Sequence, residues 1–473
     1  MEMRLMPSEE PLRILHVLAN GPPDVNGYAV RTHSLLTSQL NSKEVSPIGL
    51  TSPWYPERET MIGKFQQDGV HYFRTKHPTH VNNNSGLGMN WVKNRGQRKI
   101  ARLNHPTKQP IVEPKSPFVI RASRYSWVRI KRVIRKVIIP VNMGLTWLEE
   151  KILFRHFQKR IIEIAMKEKP QIIHAHTPYR VGIPAIRAAR KLKLQFVYEM
   201  RGMWEETAVA NGRWKSWGPS YKRFRFHETR VLRKADAVIC ISETLRKEAI
   251  SRGVNPKKIS LVPNAVKLNE SDHVSELLPI AQSKLEKSIV VGYIGSLRDI
   301  EGVDATAEAV ALLISKGVNV KLFVLSSQAG QEELKTHCES LGMGDNTVIL
   351  GPVPHDEVAP FYDLIDIFVV SRPDTRVTRL VTPLKPFEAM QRGRALVMTN
   401  LPALSEIVEH GVTGLLYDPG DIEALSKSIF SLIENEKLRQ KLGQNAKSWV
   451  KENRTWENVI DGALEAYHRA IQN

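Results

Sequence analysis

The sequence predicts an α/β chain built as two Rossmann-like, doubly wound domains facing each other across a cleft. Apolar runs of strand length alternate with helical patterns through almost the whole chain, the signature of βαβ units and parallel sheets. At 473 residues the chain is too long for one ordinary core. The residues best suited to ligand chemistry directly follow the apolar runs, at the carboxyl ends where such sheets bind ligands.

In the first half the predicted strands are 13–19, 172–175, 195–199, 237–241 and 259–262. In the second they are 289–294, 320–325, 347–350, 367–370 and 395–398. Residues 1–270 are expected to form an acceptor-side domain, interrupted by a basic segment at about 76–145 that contains the loop-like run Asn82-Asn83-Asn84-Ser85-Gly86. The stretch 267–287 is polar, carries Glu270, Asp272 and Glu276, lacks a strand pattern and is expected to be the linker. Residues 285–450 form the second, nucleotide-binding domain, and 451–473 add a helix from about Thr455 to Ile471 that can pack on either half.

With 42% hydrophobic and 25% charged residues, the composition excludes a disordered or fibrous class. Cys240 and Cys338 supply neither a disulfide framework nor metal-ligand spacing, and suit a reducing cytosol. The apolar stretch Ile14 to Ala19 has strand length and runs into Gly21-Pro22-Pro23, so no signal peptide is expected. No segment reaches the roughly 18 apolar residues that a membrane span needs.

The formal charge of +19 is regional, because residues 91–160 hold 18 Lys and Arg against Glu113, Glu149 and Glu150, leaving +4 for the rest. Within that region Arg124 to Ile139 sorts on a helical wheel. Trp127, Ile130, Val133, Ile134, Val137 and Ile138 share one face; Arg124, Arg129, Lys131, Arg132, Arg135 and Lys136 share the other. Such a helix either lies in an anionic membrane surface, at about 1 kcal/mol per basic residue, or packs on its own domain with a solvated basic face. The expected location is cytoplasmic, peripheral on the inner face of the plasma membrane. Nucleic acid is disfavoured, since aromatics do not interleave with basics along the strands.

The sharpest chemical signal is Thr382-Pro383-Leu384-Lys385-Pro386-Phe387-Glu388-Ala389-Met390, which follows a strand and opens a helix, where Pro sacrifices no hydrogen bond. Free backbone N–H groups and Lys385 suit a diphosphate, and Glu388 one turn on suits ribose hydroxyls. The plain alternative is an ordinary strand–turn–helix connection. Other candidates also trail strands: Asn26-Gly27, His174 and His176, Arg201-Gly202, Pro263-Asn264, Gly295-Ser296 and Arg372. The His-x-His pair invites a metal, but no third ligand stands at convincing spacing, so no metal and no other cofactor is expected.

The second half, from Val290-Val291-Gly292-Tyr293-Ile294-Gly295 through Pro383 to Glu406 and the run Glu409-His410-Gly411-Val412-Thr413-Gly414-Leu415-Leu416, resembles the retaining group 1 (family 4) glycosyltransferases of the GT-B fold. Ala235 to Ser242 and Leu261 to Val266 match that family's first-domain closing segments, so the resemblance covers nearly the whole chain outside the basic segment. Where the family has an Arg, a Lys and a first Glu at its donor site, this chain has Ser296, Glu301 and Leu380. Those departures, with Tyr198 to Glu206 and Val381 to Pro386, are similar to a subgroup associated with exopolysaccharide gene clusters.

The resemblance implies transfer of a sugar from a nucleoside diphosphate sugar, with retention, to a lipid-linked or polysaccharide acceptor in cell-surface glycan synthesis. Lys385, Arg372 and the backbone around Leu384 and Gly27 are then expected to stabilise the departing diphosphate, aided by Arg298, Arg376 or Arg379. Gly27, Arg201, Asn264, Gly295, Ser296, Arg298, Thr382, Pro383, Leu384 and Glu388 are expected to line the donor site, and His176 to point at the sugar. No carboxylate nucleophile is obvious, so the acceptor is expected to attack on the face the diphosphate leaves, with the phosphate as base. The alternative, motivated by Ser296, Glu301 and Leu380, is a non-catalytic GT-B protein that binds or assembles at the membrane.

Overall fold

A computed structural model describes residues 10–24, 26–55, 63–77, 121–267 and 273–472; the side chains of 121–143 and 145 lie outside the described set. The first domain is an eight-stranded sheet in the order β3-β4-β2-β1-β5-β6-β7-β8. Its strands are β1 (Leu12–Leu18), β2 (Val45–Thr51), β3 (Lys64–Gln67), β4 (Val70–Phe73), β5 (Ile172–His176), β6 (Gln195–Met200), β7 (Ala237–Cys240) and β8 (Ile259–Leu261). All neighbours pair in parallel except the edge strand β3, which runs antiparallel to β4. Strand order reverses beside β1, so the loops after β1 and β5 flank a crevice.

Period-2 alternation sends each strand's residues to two faces. Leu15, Val17, Ile173, Ala175, Phe196 and Tyr198 join one cluster, under the helices Arg121–Glu168, Tyr179–Leu192 and Pro219–Lys234. Ile14, Ile172, Val197 and Ile239 join the other, under the helices Gly27–Asn41 and Asp461–Gln472. The segment Arg124 to Ile139 does lie within a helix, but one that runs on to Glu168; the side chains of Trp127, Arg129, Lys131, Arg132, Arg135 and Lys136 are outside the described residues, as is the run Asn82 to Gly86.

The second domain is a six-stranded, all-parallel sheet ordered β11-β10-β9-β12-β13-β14. It comprises β9 (Ile289–Ile294), β10 (Val320–Leu325), β11 (Thr347–Leu350), β12 (Ile367–Val370), β13 (Ala395–Thr399) and β14 (Leu415–Tyr417). Its reversal falls between β9 and β12, placing the loops that start at Gly295 and Ser371 side by side. The expected linker is in part structure: Leu277–Leu285 is a helix whose Leu278, Ala281 and Leu285 are buried in the second core. Its apolar positions follow helical spacing, which the surrounding acids masked.

The C-terminal helix belongs to the first domain. After the helix Glu436–Asn453 packs on the second, the chain crosses at a bridge between Val266 and Thr455, and Asp461–Gln472 lies on β6, β7 and β8. Gly462 permits this approach, since a Cβ there would stand 2.0 Å from the Leu261 carbonyl oxygen.

Candidate active site

The register between strands creates a densely bonded cluster in the first domain. His16 pairs with His174 across β1 and β5, and His176 with Glu199 across β5 and β6, all four on the face with Ile14, Ile172 and Val197. Covering helices bury them, so their polar atoms must find one another. His16 Nδ1 lies 2.9 Å from His176 Nε2 and His16 Nε2 2.8 Å from Gln39 Oε1. His174 Nδ1 lies 2.9 Å from the Tyr467 hydroxyl, to which Gln39 Nε2 also donates. His176 Nδ1 stands 3.0 Å from Glu199 Oε2 without hydrogen-bond alignment.

Glu199 is the hub. Arg31 donates to its Oε1 through Nε and Nη2, and Arg201 Nη2 donates to its Oε2 at 3.0 Å. Burial opposes its charge, but Arg201 and then Arg31 hold its carboxyl well below the usual range. Burial first, and then neighbouring His174, Arg201 or His176 charge, keep His16, His174 and His176 well below the ordinary imidazole value. These three rings offer nitrogens within 4.8 Å of one another, the third ligand that the sequence did not show. The chemistry is nonetheless poor for a dication, because Glu199, the carboxylate beside them, is already held by two guanidiniums.

From this network contacts lead across the cleft. Arg31 Nη1 donates to Asn264 Oδ1, and Asn264 Nδ2 donates to the Thr382 carbonyl oxygen at 3.1 Å. Gly27 begins a helix capped by Asn26, whose side chain accepts from Tyr28 and Ala29, and a Cβ on Gly27 would sit 3.5 Å from Leu384. A Cβ on Gly202 would lie 4.0 Å from Val381. The segment Val381 to Leu384 is therefore seated against Gly27, Gly202 and Asn264, with Pro383 half-buried between Thr382 and Leu384.

Lys385 and Glu388 are neighbours on one helical turn, and here they bind each other: Lys385 Nζ is 2.9 Å from Glu388 Oε2, which also accepts from the Tyr362 hydroxyl. Burial opposes the Glu388 charge, and Lys385 holds its pKa below the usual value. Arg372 does not present free charge to the cleft. It is buried, donates to Glu301 Oε2 from Nε and Nη2, and donates to the Val381 carbonyl oxygen from Nη1. Arg298 is exposed, donating to Ser296 Oγ and to Glu301, beside Gly295 at the end of β9. Arg376 and Arg379 are likewise engaged, the first with Glu206 and Glu248 of the first domain and the second with Asp374.

His176 is 2% exposed, with both ring nitrogens turned to protein, so the structure seats it behind the cleft wall rather than aimed at a sugar. Leu380 explains its own departure from the resembling pattern: it packs on the first-domain core while its carbonyl accepts from Ser242 and Thr244. Sequence reasoning missed His16, Gln39, Arg31 and Tyr467; the signal for His16 was a polar residue inside an otherwise apolar strand. It missed also a pocket of about 240 Å³ at the ends of β1, β2 and β5, lined by Asp24, Trp54, Tyr55, Arg180 and Trp204 among others.

Residues 112–270 match the family model Glycosyltransferase Family 4, and 276–449 the model Glycosyl transferases group 1. The capsular polysaccharide biosynthesis glycosyltransferase CapM of Staphylococcus aureus is 24% identical over 324 residues, 66% of this chain and 80% of that protein. Sucrose-phosphate synthase from Thermosynechococcus elongatus superposes with a TM-score of 0.66 at 15% identity, covering 98% of this chain and 99% of the other. HepE from Anabaena, solved with UDP and glucose, gives 0.62 at 15% identity over 97% of this chain and 99% of its own. The two solved structures bear on the fold alone. Sequence likeness over both halves goes further: the chain is a GT-B-fold glycosyltransferase related to the group 1 and family 4 transferases, with a capsular polysaccharide enzyme among its relatives.

Proposed function

We propose that the protein moves a glycosyl group, with retention, from a nucleoside diphosphate sugar to a lipid-linked or polysaccharide acceptor in cell-surface glycan synthesis. The observation that carries this is the meeting, at the carboxyl ends of both sheets, of Val381 to Leu384 with Gly27, Gly202 and Asn264, directly before the paired Lys385 and Glu388. Lys385 exchanges Glu388 for the diphosphate, and Glu388 turns to the ribose hydroxyls. Arg298, the exposed cation at the end of β9, adds charge beside Ser296. Arg201 acts by fixing Glu199, and His176, bonded to His16, by completing the wall behind the sugar.

In the transfer the bond from the anomeric carbon to the diphosphate oxygen breaks, and a bond from the acceptor oxygen forms on the same face. The acceptor's proton passes to the departing phosphate, because Glu199 and Glu301 are each held by guanidiniums and Glu388 is taken up by the ribose hydroxyls. The acceptor enters the first-domain pocket, where Trp54, Tyr55 and Trp204 offer rings to a sugar and Asp24 and Arg180 offer polar edges.

The test is a thermal-shift screen against nucleoside diphosphates and nucleotide sugars with the wild type, Lys385→Ala and Glu388→Ala. A ligand at a hundredfold excess over its dissociation constant stabilises by about 2.7 kcal/mol. One nucleotide should raise the melting temperature, both substitutions should weaken the effect, and the product's anomeric configuration, read by NMR, should match the donor's. A flat response to every nucleotide favours a binding or assembly role, for which Glu301 at the position of the family's Lys is the motive.

A further inference from the structure

Three helices of the first domain lie side by side: Arg121–Glu168 packs on Tyr179–Leu192, which packs on Pro219–Lys234. Their inner sides are tied by Phe154, Tyr179 and Phe224, whose rings meet edge to face. On the first of them the exposed acid Glu163 is paired with Arg160; the other two expose no acid. Tyr179–Leu192 holds Arg180, Arg187, Arg190 and Lys191 with no acid, and the single acid of Pro219–Lys234, Glu228, is buried.

Arg155, Arg187 and Arg230, one from each helix, are exposed and make no ion pair or hydrogen bond among the described residues. They are close enough that Arg187, already disfavoured by burial, feels the charges of Arg230 and Arg155. Like charges so placed repel, and a folded surface that tolerates them suits an external anion. Apolar side chains stand among them: Trp147 is 39% exposed, Leu148 49% and Phe226 61%. Arg223 lies 5.0 Å from the Trp147 ring and so joins two of the helices at that surface.

We propose that this three-helix face docks on an anionic phospholipid bilayer. Arginines meet the headgroup phosphates while Trp147, Leu148 and Phe226 enter the interface, the pairing of aromatic and basic residues that a bilayer surface favours. A nucleic acid offers nothing to the protruding Leu148 and Phe226. The acceptor pocket lies close by: Trp54, in its lining, packs on Phe154 and Phe157 of the helix Arg121–Glu168, and Arg180 belongs to the middle one. The inference goes beyond the transferase reading and does not depend on it.

The test is co-sedimentation of the full chain with vesicles of phosphatidylcholine alone and of phosphatidylcholine with an equal part of phosphatidylglycerol. The wild type should sediment with the anionic vesicles only, and less so as salt rises. Arg155→Glu/Arg187→Glu/Arg230→Glu should weaken that binding by about a hundredfold, with an unchanged melting temperature and an unchanged nucleotide response. Should the reversal lose its fold, the corresponding triple Gln variant carries the same test. A variant with Gln at Arg129, Lys131, Arg132, Arg135 and Lys136 should still bind and still lose binding on the triple reversal. Failure of the wild type to bind anionic vesicles, equal binding to neutral ones, wild-type binding by the triple variant, or a dimer that the triple variant abolishes overturns the proposal. The nucleotide shift is read separately, so its loss speaks against the transferase reading and not against this one.

Discussion

Glu301 holds Arg372 through two guanidinium nitrogens, Nε at 3.0 Å and Nη2 at 2.8 Å, with both side chains less than a tenth exposed. Removing one member of such a pair strands a buried charge, which costs about 3–5 kcal/mol, whereas replacing both by apolar residues is often neutral. Glu301→Ala should therefore unfold at much lower urea than wild type, and Glu301→Leu/Arg372→Met should recover most of the loss. Burial opposes the Glu301 charge, but Arg372 and Arg298 depress its folded pKa below 4.5. Its contribution is thus present above the unfolded carboxylate value and fades as pH falls through the folded one. A Glu301→Ala protein as stable as wild type at neutral pH sinks this account.

The buried histidines make a second pH window. His16, His174 and His176 are held well below 6.5 in the folded state, chiefly by burial. An unfolded chain therefore takes up protons below 6.5 that the native one refuses, and stability falls on acidification by up to about 1.4 kcal/mol per pH unit for each group. Glu199, depressed by Arg201 and Arg31 against the effect of burial, adds a loss of the same sign at lower pH. Urea midpoints followed from neutral pH downward should drop steeply once below 6.5, and His16→Gln should make the slope shallower. A midpoint independent of pH across that range would falsify the neutral cluster.

Where one strand's own composition settles its fate, the sequence was legible: the apolar runs at 289–294, 320–325 and 367–370 are strands, and their trailing loops do flank the cleft. β2 escaped because Ser46, Pro47 and Gly49 break its alternation, and β3 because an edge strand of Lys64, Phe65, Gln66 and Gln67 needs no apolar content. The pairings were hidden for a different reason. Nothing local to Arg372 announces Glu301, 71 positions away, and His16 meets His176 across 160 positions only through strand register. The need for Gly302 is hidden in the same way, because it arises from the approach of Ser371, whose carbonyl oxygen would lie 2.0 Å from a Cβ there.

The two domains are fastened in this structure by charge as well as by apolar contact. Glu406 accepts from the main-chain N–H groups of Glu243 and Thr244 at 2.8 and 2.7 Å, so a second-domain carboxylate caps the first-domain helix Glu243–Ser251. Arg376 reaches back to Glu206 and Glu248. Glu406→Gln/Arg376→Ala should enlarge the radius of gyration of the ligand-free protein in small-angle scattering, with donor restoring the compact value. Superposable curves for variant and wild type would show that Leu380 and its apolar neighbours hold the domains alone.

The helix Asp461–Gln472 follows the second domain in sequence and completes the first in space. Its Tyr467 hydroxyl accepts from Gln39 Nε2 at 2.7 Å and meets His174 Nδ1 at 2.9 Å, both fully buried. Tyr467→Phe leaves those two groups without a partner and should cost about 1–3 kcal/mol. Ending the chain at Thr455 does more, because it uncovers Ile14, Ile172, Val197 and Ile239 along with the histidines. Hydrogen exchange on that truncated protein should show β1, β5 and β6 unprotected while β9, β10 and β12 keep their protection, since the second core draws nothing from the helix. Protection retained in β1, β5 and β6 would mean that the first sheet holds its buried polar face without the helix, against the bonding found around Tyr467.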